Sequence, residues 1–186
     1  NPLATLVSHG ADGLNANHIP LLLADGPAPY GKLQGHVARG NPLWRDGAVA
    51  GEILAIFHGR DSYISPSGYA TKAEHGKVVP TWNYTAVHAW GHLRVIDDPT
   101  WVFAQISALT AANEAGLRRP WAVTDAPADY MEKMLGAIVG IEITITRLLG
   151  KWKVSQNQPP ENQASLIAAL AAHGDPMADL IGRRRQ

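Results

Sequence analysis

The run Thr81–Ile96 most restricts what this chain can become. Its β-branched and aromatic side chains are crowded into a segment long for one strand. Gly91 stands where a bend or bulge would interrupt such a strand. A second long run, Gly140–Ser155, alternates Ile141, Ile143, Ile145 and Arg147 at strand period. Shorter strand-like runs precede them over Leu3–Ser8, Leu14–Leu23, Lys32–Arg39, Val49–His58 and Ser62–Ser65. Turn chemistry separates these runs: Asp12-Gly13 permits a hairpin, Asp25-Gly-Pro-Ala-Pro29 forms a loop, and Asn41 caps a helical turn with Pro42 at its first position.

Helices enter later. Asp98-Pro99 starts one that Gly116 stops, with Val102, Ile106, Leu109 and Asn113 at helical spacing. Ala126–Ile138 reads as a second, with Tyr130, Met131, Met134 and Leu135 turned inward. A third covers Pro160–Ala172, and Asp175-Pro176 opens a fourth. Six or seven strands with a late return strand suit a small closed or nearly closed barrel with peripheral helices, an α+β fold. No internal repeat or long linker divides the sequence, so a single domain over 1–186 is expected, ending in helices from about 158 to 186.

Composition excludes several classes. Sixteen basic residues balance sixteen acidic ones, which argues against a large electrostatic footprint for DNA or membrane. No run approaches the ~18 to 20 apolar residues that span a bilayer, so a soluble, cytoplasmic protein without a membrane partner is expected. The chain opens on Asn1 rather than Met, directly on a strand-like run, which suggests that a segment precedes it. Absence of cysteine removes disulfides, thiolate metal sites and cysteine nucleophiles together.

Familiar catalytic motifs are missing as well. Neither a phosphate-binding G-x-x-x-x-G-K-[ST] loop nor a dinucleotide G-x-G-x-x-G occurs, and Ser67 does not sit in a G-x-S-x-G elbow. His88 and His92 are four apart, but on a strand their rings stand roughly 13 Å from each other, too far to share an ion. No metal site is expected. The terminal Arg183-Arg184-Arg185 reads as a solvated tail. The two middle helices are too far apart in sequence for a helix-turn-helix.

What stands out is polar groups planted within strand-like segments. Asn17 and His18 interrupt the second run, and His36 and Arg39 the third. Thr81, Trp82 and Asn83 open the long run; Lys151, Lys153, Ser155, Gln156 and Asn157 close the last. Half-buried polar groups must be paired, so these clusters imply either an internal hydrogen-bond network or a polar ligand. An anionic ligand would find charge in Arg39, Lys77, Lys151 and Lys153, and directed hydrogen bonds in Asn, Ser and Thr. Trp44, Trp82, Tyr84 and Trp90 could flank a flat ring, or simply be core.

Several segments, in order along nearly the whole chain, carry a resemblance. They are Ala16-Asn-His-Ile-Pro20, Gly35-His-Val-Ala-Arg39 with Asn41-Pro-Leu-Trp44, Tyr63-Ile-Ser-Pro-Ser67, Lys77-Val-Val-Pro-Thr-Trp-Asn-Tyr84, Val87-His-Ala-Trp-Gly91 and Lys151-Trp-Lys-Val-Ser-Gln-Asn157. Together they resemble the PaiB-like family of FMN-binding negative transcriptional regulators. Gly68 and Gly40 depart from the family pattern, which has an aromatic residue and a small residue with a side chain there.

The resemblance implies a split β-barrel and a homodimer with two FMN sites at the subunit interface. It places Arg39 and Lys77 near the FMN phosphate, helped by His36, Asn41 and Ser65. It sets Thr81, Trp82 and Asn83 along the ring or ribityl chain, and Lys153, Ser155, Gln156 and Asn157 at the close of the site, with Asn17 also in the binding set. A cytoplasmic FMN-binding regulator is the function it implies, with DNA as a possible partner. An FMN-dependent oxidoreductase using a nicotinamide donor is the alternative, and a haem-handling protein a third reading.

Overall fold

The computed structural model describes residues 1–10, 13–27, 29–45 and 51–183. It contains a seven-stranded sheet of order β2-β1-β5-β6-β7-β4-β3, with five α-helices among the described residues. The strands are β1 Leu3–Gly10, β2 Gly13–Pro20, β3 Leu22–Ala24, β4 Lys32–Ala38, β5 Glu52–Ile64, β6 Thr81–Ile96 and β7 Ile138–Lys153. The helices are α1 Lys72–His75, α2 Pro99–Glu114, α3 Ala128–Gly136, α4 Pro160–Ala172 and α5 Met177–Arg183. Two compact units divide the chain: one comprises 1–57 and 88–149, the other 58–87 and 150–186.

In the first unit β1 pairs antiparallel with β2, Gly10 opposite Gly13, whose φ of 96° suits a glycine at a hairpin. Ala11 and Asp12 of the expected turn lie outside the described residues, as do Val49 and Ala50 of the expected strand start. The run expected over Leu14–Leu23 is two strands, because Pro20 has no N–H to continue the ladder; the Leu21 N–H turns to Pro2 O at 2.8 Å. Alternate residues of β1, β4, β5, β6 and β7 build the core, including Leu6, Leu33, Ile53, Leu93, Ile141 and Ile143. Gly91 does not end its strand. A Cβ there would collide with the Thr144 carbonyl, so glycine admits β7 at close range.

Asp98 caps α2, its Oδ1 accepting from Thr100 N at 2.9 Å. The second expected helix is shorter than its sequence signal: α3 ends at Gly136 because Ile138 already begins β7. None of its residues is buried, and Tyr130 is 53% exposed rather than inward. Arg147 keeps the parity of Ile141, Ile143 and Ile145 yet is exposed, because the burial of β7 ends at Ile145.

The second unit takes the end of β5, the start of β6 and the end of β7. Ser62–Ser65 is not a separate strand: β5 runs unbroken through the polar His58-Gly59-Arg60-Asp61, since ladder hydrogen bonds do not require apolar side chains. Gly59 lets it pass, as a Cβ would overlap the Thr85 hydroxyl. The unit's core is Ile64, Tyr69, Val154, Leu166, Leu170, Met177, Ala178 and Ile181. Asp175 opens α5 with Oδ1 accepting from Met177 N at 2.8 Å, while its Oδ2 accepts from the Ser62 hydroxyl at 2.5 Å. Arg184 and Arg185 of the tail lie outside the described residues.

Candidate functional site

Four expected site residues belong to the first unit. Asn41 caps the 3-10 turn Pro42–Trp44, its Oδ1 accepting from Leu43 N at 2.8 Å, and its Nδ2 donates to Asn17 Oδ1 at 2.7 Å. Asn17 Nδ2 is shielded from solvent and has no acceptor among the described residues. His36 Nδ1 lies 2.9 Å from Gln105 Oε1, and Gln105 Nε2 is a second buried donor left without an acceptor there.

Arg39 is a paired cation rather than a free one. Its guanidinium makes a fork with Asp97 at 2.9 and 2.6 Å, while Nε donates to Gly136 O at 2.9 Å and Nη2 to Ile138 O at 3.3 Å. The hydrogen bond from Arg39, with its charge, holds the Asp97 carboxyl below its ordinary range; the Arg39 pKa is raised reciprocally. The carbonyl of Arg39 in turn accepts from Trp44 Nε1 at 3.0 Å and Arg45 Nη2 at 3.1 Å. Residues 39–45 are thereby fastened to the corner before α2 and to the start of β7.

The other nine residues belong to the second unit. Asn83 is fully buried and exchanges hydrogen bonds with Ser155, Nδ2 to Oγ at 2.9 Å and Oγ to Oδ1 at 3.2 Å. Ser155 adopts a left-handed φ of 56°, unusual for a residue with a side chain, and so turns the chain out of β7. Lys153 Nζ donates to Thr81 Oγ1 at 2.7 Å, and lies 5.9 Å from the Tyr84 ring centroid. Trp82 is 54% exposed and meets Tyr63 edge-on at 5.8 Å. Alternation along β6 thus puts Trp82 and Tyr84 outward and Asn83 inward.

Ser65 Oγ accepts from Ser67 N at 3.2 Å and opens the 3-10 turn Pro66–Gly68. Gly68 leaves space that Leu166 of α4 fills, since a Cβ would approach Leu166 Cδ1 to 3.1 Å. Lys77 and Asn157 are exposed. Gln156 is folded back, accepting from Val154 N at 2.7 Å and donating to Trp152 O at 2.8 Å. It lines an open cleft of about 340 Å³ with Val154, Gln163 and Ile181.

Sequence reasoning missed four polar participants. Gln105, Asp97 and Tyr69 lack any sequence mark; the Tyr69 hydroxyl is buried without a partner among the described residues. Glu142 does carry a signal, as the one acid between Ile141 and Ile143. It is buried, accepting from Lys32 Nζ and Gln34 Nε2 at 2.8 Å and from Arg94 Nη2 at 2.9 Å. Burial pushes its pKa up, but the hydrogen bonds from Lys32, Gln34 and Arg94 outweigh that and hold it below the ordinary carboxylate value.

Within the first unit, the orphaned Asn17 and Gln105 amide donors suit a ligand rich in oxygen acceptors. Flavin mononucleotide is one, through its phosphate, ribityl hydroxyls and ring carbonyls, so the residues present fit that group. Among the described residues no helix is long and apolar enough to cross a membrane, and no group of three His, Cys, Asp or Glu side chains converges as a metal site would.

Comparison with known proteins bears on the same chemistry. A family described as "Putative FMN-binding domain" matches residues 1–147. An uncharacterized protein of Emericella nidulans is 34% identical, covering 84% of this chain and 75% of its own. The "Protease synthase and sporulation protein PAI 2" of Bacillus subtilis is 28% identical, covering 96% of this chain and 83% of that one. Among solved structures, a conserved hypothetical protein of Mycobacterium tuberculosis superposes with a TM-score of 0.57 at 12% identity, over 86% of this chain and 82% of that one. The flavocytochrome Anf3 from Azotobacter vinelandii gives 0.56 at 14%, over 88% and 68%. At those identities the likeness speaks for the α+β split-barrel fold alone.

Proposed function

Because the chain belongs to the family described as "Putative FMN-binding domain", with FMN as its cofactor, we propose that it is a flavin-dependent regulator of the PaiB-like kind. It works in the cytoplasm as a homodimer, the whole of 1–186 serving as one flavin-binding domain, with residues of both subunits around each FMN. The observation that carries this reading is the similarity to PAI 2 across 96% of the chain.

Bound flavin supplies one- and two-electron redox chemistry. The chain's own residues bind and orient it. Lys77 and Lys153 contribute positive charge toward the phosphate with the Ser65 hydroxyl, and Arg39 takes part as a cation already matched by Asp97. His36 and Asn17 contribute directed hydrogen bonds, with Asn41 holding Asn17 in place. Thr81 and Trp82 line the flavin, Gln156 and Asn157 complete the set, and the buried pair of Asn83 and Ser155 holds these strand ends together.

Direct action on DNA is tested by a promoter-fragment shift with oxidised and reduced protein across a salt series. A salt-dependent, flavin-state-dependent shift is expected. No shift at low salt in either state removes direct repression. A second reading, an FMN-dependent oxidoreductase, is favoured by the balanced charge and by residues 115–127, which keep α2 and α3 too far apart in sequence for a helix-turn-helix. Anaerobic NADH or NADPH would then bleach the flavin at a useful rate; failure with both removes it.

A further inference from the structure

The orientation of two amides in the first unit is not free. The Leu43 N–H must be accepted, so Asn41 presents Oδ1 to it at 2.8 Å and its Nδ2 is forced toward Asn17. Asn17 must then present Oδ1, at 2.7 Å, because two facing amide nitrogens would both be donors. The last donor in this chain, Asn17 Nδ2, is left with no acceptor among the described residues. Each hydrogen bond polarises the next, so the terminal N–H is a stronger donor than an isolated amide.

Cations near this turn are engaged elsewhere. Arg39 is matched by Asp97, and Arg45 bonds the Arg39 carbonyl with its guanidinium 4.9 Å from the Trp44 ring centroid. An uncharged donor without cationic help suits an uncharged oxygen better than a phosphate.

Resting on the flavin reading above, we propose that Asn41 is a positioning residue that sets the polarity of Asn17, so that Asn17 Nδ2–H donates to an uncharged flavin oxygen, a ring carbonyl or ribityl hydroxyl.

Asn41→Asp tests this. Aspartate still caps Leu43 but offers Asn17 only acceptors, so the Asn17 amide turns over and meets the flavin oxygen with an oxygen. Binding of FMN and of riboflavin, which lacks the phosphate, is measured by flavin fluorescence with wild type, Asn41→Asp, Asn17→Asp and, as a charge control on the same strand, Asn15→Asp. Both relay variants are expected to lose about tenfold or more for FMN and riboflavin alike, with thermal midpoints near wild type and Asn15→Asp unchanged. In wild type, the Asn17 side-chain amide resonances shift on riboflavin addition, a response that a purely structural role would not produce. Loss confined to FMN, equal loss in Asn15→Asp, or no loss in either relay variant overturns the proposal. Wild-type protein that binds neither flavin overturns the flavin reading itself.

Discussion

Replacing Glu142 by Gln tests the charge balance of the first unit most directly, because the side chain keeps its shape while its charge and one acceptor oxygen give way to an amide NH2 donor. Lys32 and Arg94 then face an amide. Their contributions differ: the Arg94 side chain is 66% exposed, so its pair falls in the range of about 0 to 1 kcal/mol found for solvated ion pairs. The Lys32 side chain is 27% exposed and bonds a carboxylate that is itself only 7% exposed, so its loss approaches the ~1.5 to 3 kcal/mol of a charge-assisted bond. Together these give about 1.5 to 4 kcal/mol of destabilisation at pH 7, read as a shift of the urea midpoint by far-ultraviolet circular dichroism at saturating FMN.

The pH dependence carries the sign. Glu142 has its pKa lowered on folding, so its contribution is complete above the ordinary value of 4.5 and is lost as pH falls through the lower folded value. Wild type should therefore converge on Glu142→Gln below about pH 4.5. A gap between the two proteins that is constant from pH 7 to pH 3 would refute the reasoning, since it would mean that the carboxylate charge contributes nothing.

Further outcomes follow from the same geometry. Arg39→Ala and Asp97→Asn should each lower the thermal midpoint and weaken FMN binding more than Arg119→Ala, and the double variant should be little worse than either single; additive losses would show that the two residues are uncoupled. Gly91→Ala pushes a methyl into the Thr144 carbonyl and should cost on the order of 1 to 3 kcal/mol in urea unfolding. Gly136→Ala, with open space at the Cβ position near the end of α3, should be neutral or stabilise by about 0.4 to 1 kcal/mol. Ser155→Ala strands the buried Asn83 and should cost about 1 to 3 kcal/mol. Ser155→Gly loses the same hydrogen bonds but relieves the left-handed φ, so it should be less destabilised; the reverse order would exclude strain at this turn.

Features governed by a few neighbouring residues were legible without the structure. Asn41-Pro42 and Asp98-Pro99 cap and start their helical turns, α4 runs over Pro160–Ala172, and Ile141, Ile143 and Ile145 bury one face of β7. Each depends on a side chain reaching its own or an adjacent turn, or on strand parity, which the order of residues settles alone. Tertiary structure decided which polar groups meet. Arg39 finds Asp97 and Glu142 finds Lys32, Gln34 and Arg94 only because strands distant in sequence lie in one register, as Gln34 opposite Glu142 shows. Asn83 likewise meets Ser155 from 72 positions away. A charge pattern records that such groups exist, whereas their partners depend on strand pairing, and pairing is a property of the folded chain.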